Sequence, residues 1–109
     1  VQGHVGCAEK VSVKLVFSRL AENDLERIAD YISIDNPDRA FTYIDEIEAH
    51  CAKLLLAPQG GMLREDLARG LRSTPHGAYI IFYRIAFDEL RIERILHSAR
   101  HFPAMFDDR

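Results

Sequence analysis

Hydrophobic positions along this 109-residue chain change their period twice, and the changes divide it into elements. Val11-Ser-Val-Lys-Leu-Val-Phe17 alternates apolar with polar residues at first and is rich in β-branched side chains, which predicts a strand. Ser18 suits a helix N-cap. Leu25, Ile28 and Ile32 then recur at spacings of three and four, with Ala21 and Ala29 beside them, and predict a helix reaching about Ile34. Asp35-Asn-Pro-Asp38 interrupts the pattern: Asn36 suits a cap and Pro37 the first helical position of a second helix. Phe41, Ile44, Ile47, Cys51 and Leu54 or Leu55 form its expected apolar stripe, and Pro58 and Gly60-Gly61 end it. A link this short predicts an antiparallel helical hairpin.

From Leu67 the period shortens. Gly70-Leu-Arg-Ser-Thr-Pro75 reads as a short strand ended by Pro75. Ala78 to Ala86 is the strongest strand in the chain, and its near-continuous apolar character predicts a central position covered on both sides. Alternation puts Ile80, Phe82 and Arg84 on one face and Tyr79, Ile81, Tyr83 and Ile85 on the other. Asp88-Glu89 turns the chain, and Leu90 to Leu96 pairs back. The expected fold is therefore α+β, in the order β-α-α-β-β-β, with the helical hairpin packed on one face of a small, mainly antiparallel sheet. No second helical layer is evident for the other face, which is expected to be solvated or reserved for a partner. Residues 11–109 form one domain, and residues 1–10 are expected to be a tail of vector origin or disordered. There is no internal repeat or low-complexity tract.

Composition narrows the function classes. Charged residues make up 28% of the chain and no apolar run approaches the ~20 residues that span a bilayer, so a cytoplasmic protein without a membrane role is expected. The two cysteines, Cys7 and Cys51, do not suggest a disulfide scaffold. The net charge of −3 hides an asymmetry: residues 18–50 hold nine acidic residues against three arginines, and residues 69–101 hold six arginines against three acidic residues. Beyond Lys53 every Lys or Arg position is arginine, which suits planar recognition of carboxylate or phosphate.

Most catalytic patterns are missing. The chain has no Gly-x-Ser-x-Gly elbow, no catalytic-cysteine context and no phosphate-binding glycine loop. His97-x-x-x-His101 has a zinc-like spacing, but it follows a strand and precedes Phe102-Pro103 with no Cys pair or Glu nearby, so neither a metal nor another cofactor is expected. Metal-free RNA cleavage needs a base, an acid and cations for the phosphate. Arg72, Arg84, Arg94 and Arg100 offer the charge, and His76, His97, His101 or Tyr79 the proton transfer. Packing is the simpler use of the tyrosines and Phe82.

From Val13 to about Phe102 the chain resembles the ParE toxins of bacterial toxin–antitoxin pairs, in the wider RelE/ParE superfamily. The resemblance lies in Ala21 to Ile32, in Pro58-x-x-Gly61 followed by Arg64 and Gly70-Leu-Arg72, and in Tyr79 to Arg84 and Arg94 to Arg100, all in order. It implies the same fold and a small cytoplasmic toxin that inhibits growth, in settings such as plasmid stabilisation. It also implies a hetero-oligomer with a ParD-like antitoxin, which lays a partly helical, partly extended C-terminal segment around the toxin. ParE members typically poison DNA gyrase, whereas RelE-like members cut messenger RNA on the ribosome. RelE-like nucleases carry a basic residue directly after the tyrosine matching Tyr79; this chain has Ile80. Gly70 stands where they carry a second one. Arg72 and Arg100 match, and Phe106 stands where a tyrosine is often found.

The expectation is a gyrase inhibitor that acts by contact, with no catalytic residue and no sequence-specific nucleic-acid binding. The alternatives are a ribosome-dependent endoribonuclease and a non-toxic member that retains antitoxin binding. Candidate target- or antitoxin-binding residues are Arg64, Arg72, Tyr79, Arg84, Arg94, His97, Arg100, Phe102, Met105 and Phe106. The apolar tail residues among them either meet a partner or dock on the protein's own core.

Overall fold

The first strand ends at Phe17, where the chain turns into a helix. In the computed structural model, which describes residues 13–100 and 102–106, β1 spans Lys14–Phe17 and runs parallel to the last strand, β5 (Glu89–His97). Val11 and Ser12 of the expected strand lie outside the described residues. The register pairs Lys14 with Glu89 and ends at Phe17 with Ile92. There the chain turns into helix α1, Arg19–Ser33. Ser18 makes that turn: its Oγ accepts from the Ala21 N–H at 3.0 Å and donates to the Glu93 carbonyl at 2.8 Å. One residue thus caps the helix and holds it to β5.

Helix α2, Pro37–Lys53, starts as expected, with the Asn36 side chain accepting from the Arg39 N–H at 3.1 Å and Pro37 in the first turn. Its stripe is phased differently. Ala40, Ile47 and Cys51 are buried, whereas Phe41 is 75% exposed. At 3.6 residues per turn Phe41 sits about 120° around the helix from Ile47, while Ala40 sits within about 20° of it. Two 3₁₀ turns, Leu54–Leu56 and Pro58–Gly60, follow α2 and lead into the two-residue strand β2, Met62–Leu63. The hydrophobic pattern gave no sign of β2, whose residues are exposed.

The sheet has the order β1-β5-β4-β3-β2, with β3 at Arg72–His76 and β4 at Tyr79–Ala86 in the centre. All pairings except β1–β5 are antiparallel. Pro75 does not end β3; it pairs with Ile80 inside the strand. Strand β2 reaches only to Ser73, so Pro75 stands on an open edge where a missing N–H breaks no ladder bond. The β3–β4 turn is two residues, Gly77-Ala78, with Gly77 at φ +59°. A Cβ there would stand 2.7 Å from the Tyr43 hydroxyl, so glycine answers both a backbone and a space requirement. The turn into β5 is Phe87-Asp88, one residue before the expected position, with Phe87 at φ +54° and fully exposed.

Two cores lie on the two faces of this sheet. The larger joins Ala21, Ile28, Ile47 and Cys51 of the helices to Ile81, Tyr83, Leu90, Ile92 and Ile95. The smaller joins Leu71, Phe82 and Leu96, with Ile80 beside them. β4 follows the expected alternation. β5 does not: the register steps from Phe82–Arg94 to Tyr83–Ile92, leaving Glu93 as an inserted residue. This bulge lets Ile92 and Ile95, three apart, face the same core. The second face is not bare. A short helix, α3 (Phe102–Met105), carries Phe102, Met105 and Phe106 onto it, with Phe82 meeting Phe102 and Phe106 edge-on at 5.0 and 4.8 Å. Among the described residues no helix is long and apolar enough to cross a membrane.

Beyond Ile92, β5 loses its strand neighbour, and Asp24 of α1 takes over that edge. Its carboxylate accepts from the Ile95 N–H at 3.0 Å and from Arg94 Nε and Nη2 at 2.8 and 3.0 Å. Asp24 is 5% exposed, so removing the carboxylate strands a guanidinium and an edge amide. Asp24→Ala is expected to cost about 3–5 kcal/mol in urea denaturation, the range for breaking a buried pair. Asp24→Asn should cost less, because its amide oxygen still accepts from Ile95. A loss under about 1 kcal/mol for Asp24→Ala, within the range of a surface ion pair, would remove this account of the edge.

Candidate functional site

Where α1 leaves β5 it opens a cleft. The cleft, about 520 Å³, lies between Arg27, Ile28, Tyr31 and Ile32 of α1, Tyr43 of α2, and Ala78, Tyr79, Ile95, Leu96 and His97 at one end of β4–β5, with Arg100 also lining it. A row of rings builds one wall. Tyr43 and Tyr79 have centroids 6.1 Å apart, and Tyr79 meets His97 edge-on at 5.4 Å. Burial pushes the Tyr43 and Tyr79 phenols above their ordinary value, so both remain protonated donors at neutral pH. Arg27 and Arg100 supply positive charge, and among the described residues neither is in an ion pair. An apolar, ring-lined cleft with two cations outside any ion pair among the described residues suits an extended or helical peptide segment that carries apolar anchors and acidic flanks.

The structure divides the ten expected site residues into groups. Tyr79, His97 and Arg100 come together in the cleft. Arg94 is committed to Asp24, which holds its guanidinium above the ordinary value. Arg64 pairs with Asp66 at 3.0 Å and Arg84 approaches Glu93 at 3.6 Å. Arg72 donates to the carbonyls of Gly61 and Gln59 at 3.0 and 3.3 Å. Phe102, Met105 and Phe106 pack on the smaller core, and Arg100 Nη2 lies 3.8 Å from Met105 Sδ. His101, the second member of the His-x-x-x-His spacing, is outside the described residues.

Arg72 belongs to a small scaffold. The buried Tyr83 hydroxyl donates to the Pro58 carbonyl and accepts from the Gly61 N–H, both at 2.9 Å. A Cβ on Gly61 would fall 2.9 Å from the Ser73 carbonyl oxygen and closer still to the Tyr83 hydroxyl. Tyr83, Arg72 and Gly61 together hold the chain from Pro58 to Leu63 against the sheet.

Among the described residues no group of three His, Cys, Asp or Glu side chains is placed to hold a metal. The Cys51 thiol is fully buried and pushed up to about 12, mainly by burial, which leaves it inert. A second groove, about 530 Å³, runs along the helical hairpin over Leu25, Ala29, Phe41 and Ile44, edged by Glu26, Asp30, Asp45 and Glu48. Reading the sequence missed Asp24, Arg27, Tyr31 and Tyr43. Tyr43, Ile47 and His50 do stand at i, i+4 and i+7, one face of a helix, so that signal was present. The partners of that face lie in the β3–β4 turn, which helical spacing does not report.

The sequence model of the family described as the ParE toxin of the type II toxin–antitoxin system parDE matches residues 15–102. No curated protein matches the chain significantly. Among solved structures, one from the chromosomal ParDE toxin–antitoxin system of P. aeruginosa has a TM-score of 0.68 at 24% identity, over 78% of this chain and 95% of that one. One from the RelBE2 toxin–antitoxin complex of Mycobacterium tuberculosis has a TM-score of 0.59 at 25% identity, over 80% of this chain and 99% of that one.

Tyr83→Phe should keep the core filled while breaking both bonds to the 58–61 segment. A loss of about 1–3 kcal/mol is expected, with faster proteolysis between Gln59 and Leu63. Unchanged stability and unchanged cleavage would mean that the hydroxyl does not anchor the segment.

Proposed function

Because the chain belongs to the ParE toxin family of type II toxin–antitoxin systems, we propose that this toxin arrests growth by binding DNA gyrase through protein–protein contacts, and that its cleft seats a segment of the cognate antitoxin. The observation that carries the contact reading is the dispersal of its cations. Arg72 stands on the rung opposite Tyr83, and Arg100 follows His97, on the rung opposite Tyr79. Those rungs are four residues apart on β4, about 13 Å at 3.3 Å per residue. Arg72 is also engaged by loop carbonyls, and Arg64, Arg84 and Arg94 face carboxylates. A phosphate clamp needs its cations convergent on one group. Ile80, at the position where RelE-like nucleases carry a basic residue, packs on the smaller core.

Assignment of the cleft to the antitoxin draws on its chemistry and on the similarity, at 25% identity, to a structure that is itself a toxin–antitoxin complex. An aromatic wall and two cations fit a segment with apolar anchors and acidic flanks. Tyr79, central to the wall, is the expected hot spot.

Induction of the chain in bacteria without its antitoxin should stop DNA synthesis within minutes while protein synthesis continues, and the purified chain should trap gyrase on cleaved DNA. Immediate loss of translation with cut messages would replace this reading by the endoribonuclease one. Separately, Tyr79→Ala should weaken antitoxin binding by about 2 kcal/mol or more in calorimetry. Unchanged affinity would place the antitoxin elsewhere on the chain.

A further inference from the structure

His50, near the end of α2, and His76, the last residue of β3, face each other across an element boundary with their Nδ1 atoms 2.8 Å apart. Both rings are part-buried, and their centroids are 5.1 Å apart. A separation this short between ring nitrogens is a hydrogen bond, so one Nδ1 carries the proton and the other presents its lone pair. The bond ties the helix to the tight turn that begins at Gly77. It is also the outer end of the row of rings. Tyr43 stands edge-on to His76 at 5.5 Å, with its hydroxyl 3.4 Å from the His76 carbonyl, and Tyr43 then meets Tyr79 in the cleft wall.

The contact lasts only while a lone pair remains between the two rings. One added proton can enter at a distant Nε2 and leave the bond in place. A second protonates the accepting Nδ1, removes the acceptor and sets two like charges face to face. The surrounding groups do not offset this. Lys53 of α2 acts on His50 with the same sign. Glu46 of α2 acts on His76, but Arg39 engages its carboxylate at 2.8 Å and also lies over the Tyr43 ring. From β4 and β5 the nearest titratable rings along the row are Tyr79, protonated at neutral pH, and His97.

We infer that the His50–His76 pair is a pH-operated latch on the cleft: closed at neutral pH it fixes Tyr43 and Tyr79 as the wall, and open in mild acid it frees the β3–β4 turn and loosens the hold on the antitoxin segment. Burial, and then the neighbouring His76, hold His50 below its ordinary value. A depressed histidine gives stability that is present above the unfolded value of about 6.5 and is lost as pH falls below it. The regulatory half of the inference rests on the assignment of the cleft to the antitoxin; the latch itself does not.

The test compares the full chain with His50→Gln, His76→Gln and the double variant from pH 5.0 to 8.0 by thermal unfolding. It adds amide exchange at Ser98, whose N–H bonds the Ala78 carbonyl at 2.9 Å. The two substitutions should couple at pH 7.5 and not at pH 5.5. Ser98 protection, corrected for intrinsic exchange, should fall severalfold from pH 7.5 to pH 5.5 in wild type and stay level in the three variants. Parallel pH profiles in all four proteins would overturn the latch. A synthetic peptide covering the C-terminal half of the antitoxin encoded beside this chain tests the regulation. Its affinity should drop in acid more in wild type than in the double variant. An equal drop in both would overturn the regulatory role while leaving the latch. Failure of Tyr79→Ala to weaken the same peptide at pH 7.5 would instead identify the cleft assignment as the fault.

Discussion

One edge of β5 is served by two different neighbours, and much of the molecule's shape follows from that. For its first half the edge is paired with β1; from Glu93 onward it is capped by Ser18 and Asp24. A buried sheet edge must find partners for its polar groups, and side chains from one helix supply them here. Because Asp24 reaches Ile95 N–H and Arg94 together, α1 is fixed in position along the strand as well as over it. The cleft lies beside that contact, between α1 and the end of β4–β5 at Tyr79 and His97.

The bulge at Glu93 has a second consequence. It keeps Ile92 and Ile95 on the helical face while Leu96 turns to the other, where it joins Leu71 and Phe82. That smaller core is large enough to need a cover and too small to hold a second helical layer. The single turn α3 provides the cover, placing two phenylalanine rings on Phe82. Arg100 lies between the two faces: it lines the cleft on one side and leans on Met105 on the other. Docking of the tail and the charge at the cleft are thus linked through one residue.

The basic half of the sequence serves mostly internal ends. Arg94 is structural, Arg72 holds the loop after α2, and Arg64 and Arg84 sit against carboxylates. What remains for a partner is narrower than the composition suggested, and it is shaped as much by tyrosines as by arginines. Contact over an aromatic wall needs shape and a few charges; phosphoryl chemistry needs several charges on one point.

Local pattern was sufficient for β1, the two long helices, the three strands from Arg72 to His97 and their order, but not for β2 or α3. Ser18 and Asn36 announced the helix starts, and the unbroken apolar run from Tyr79 to Ala86 announced the central strand, with its two faces assigned by alternation. The motifs spread from Ala21 to Arg100 carried the family. The sequence left several features open: the phase of α2 at Phe41, the two-residue β2, Pro75 within its strand, and the bulge that breaks alternation in β5. Nor did it show that Asp24, seventy residues before Arg94, is the group beneath that arginine, or that His50 meets His76. The reason is physical. Caps, turns and periodicity are set by residues within a few positions of one another. Which polar group ends at a sheet edge, and which ring ends in a cleft wall, is decided by the packing of helices on a sheet whose register no single segment contains.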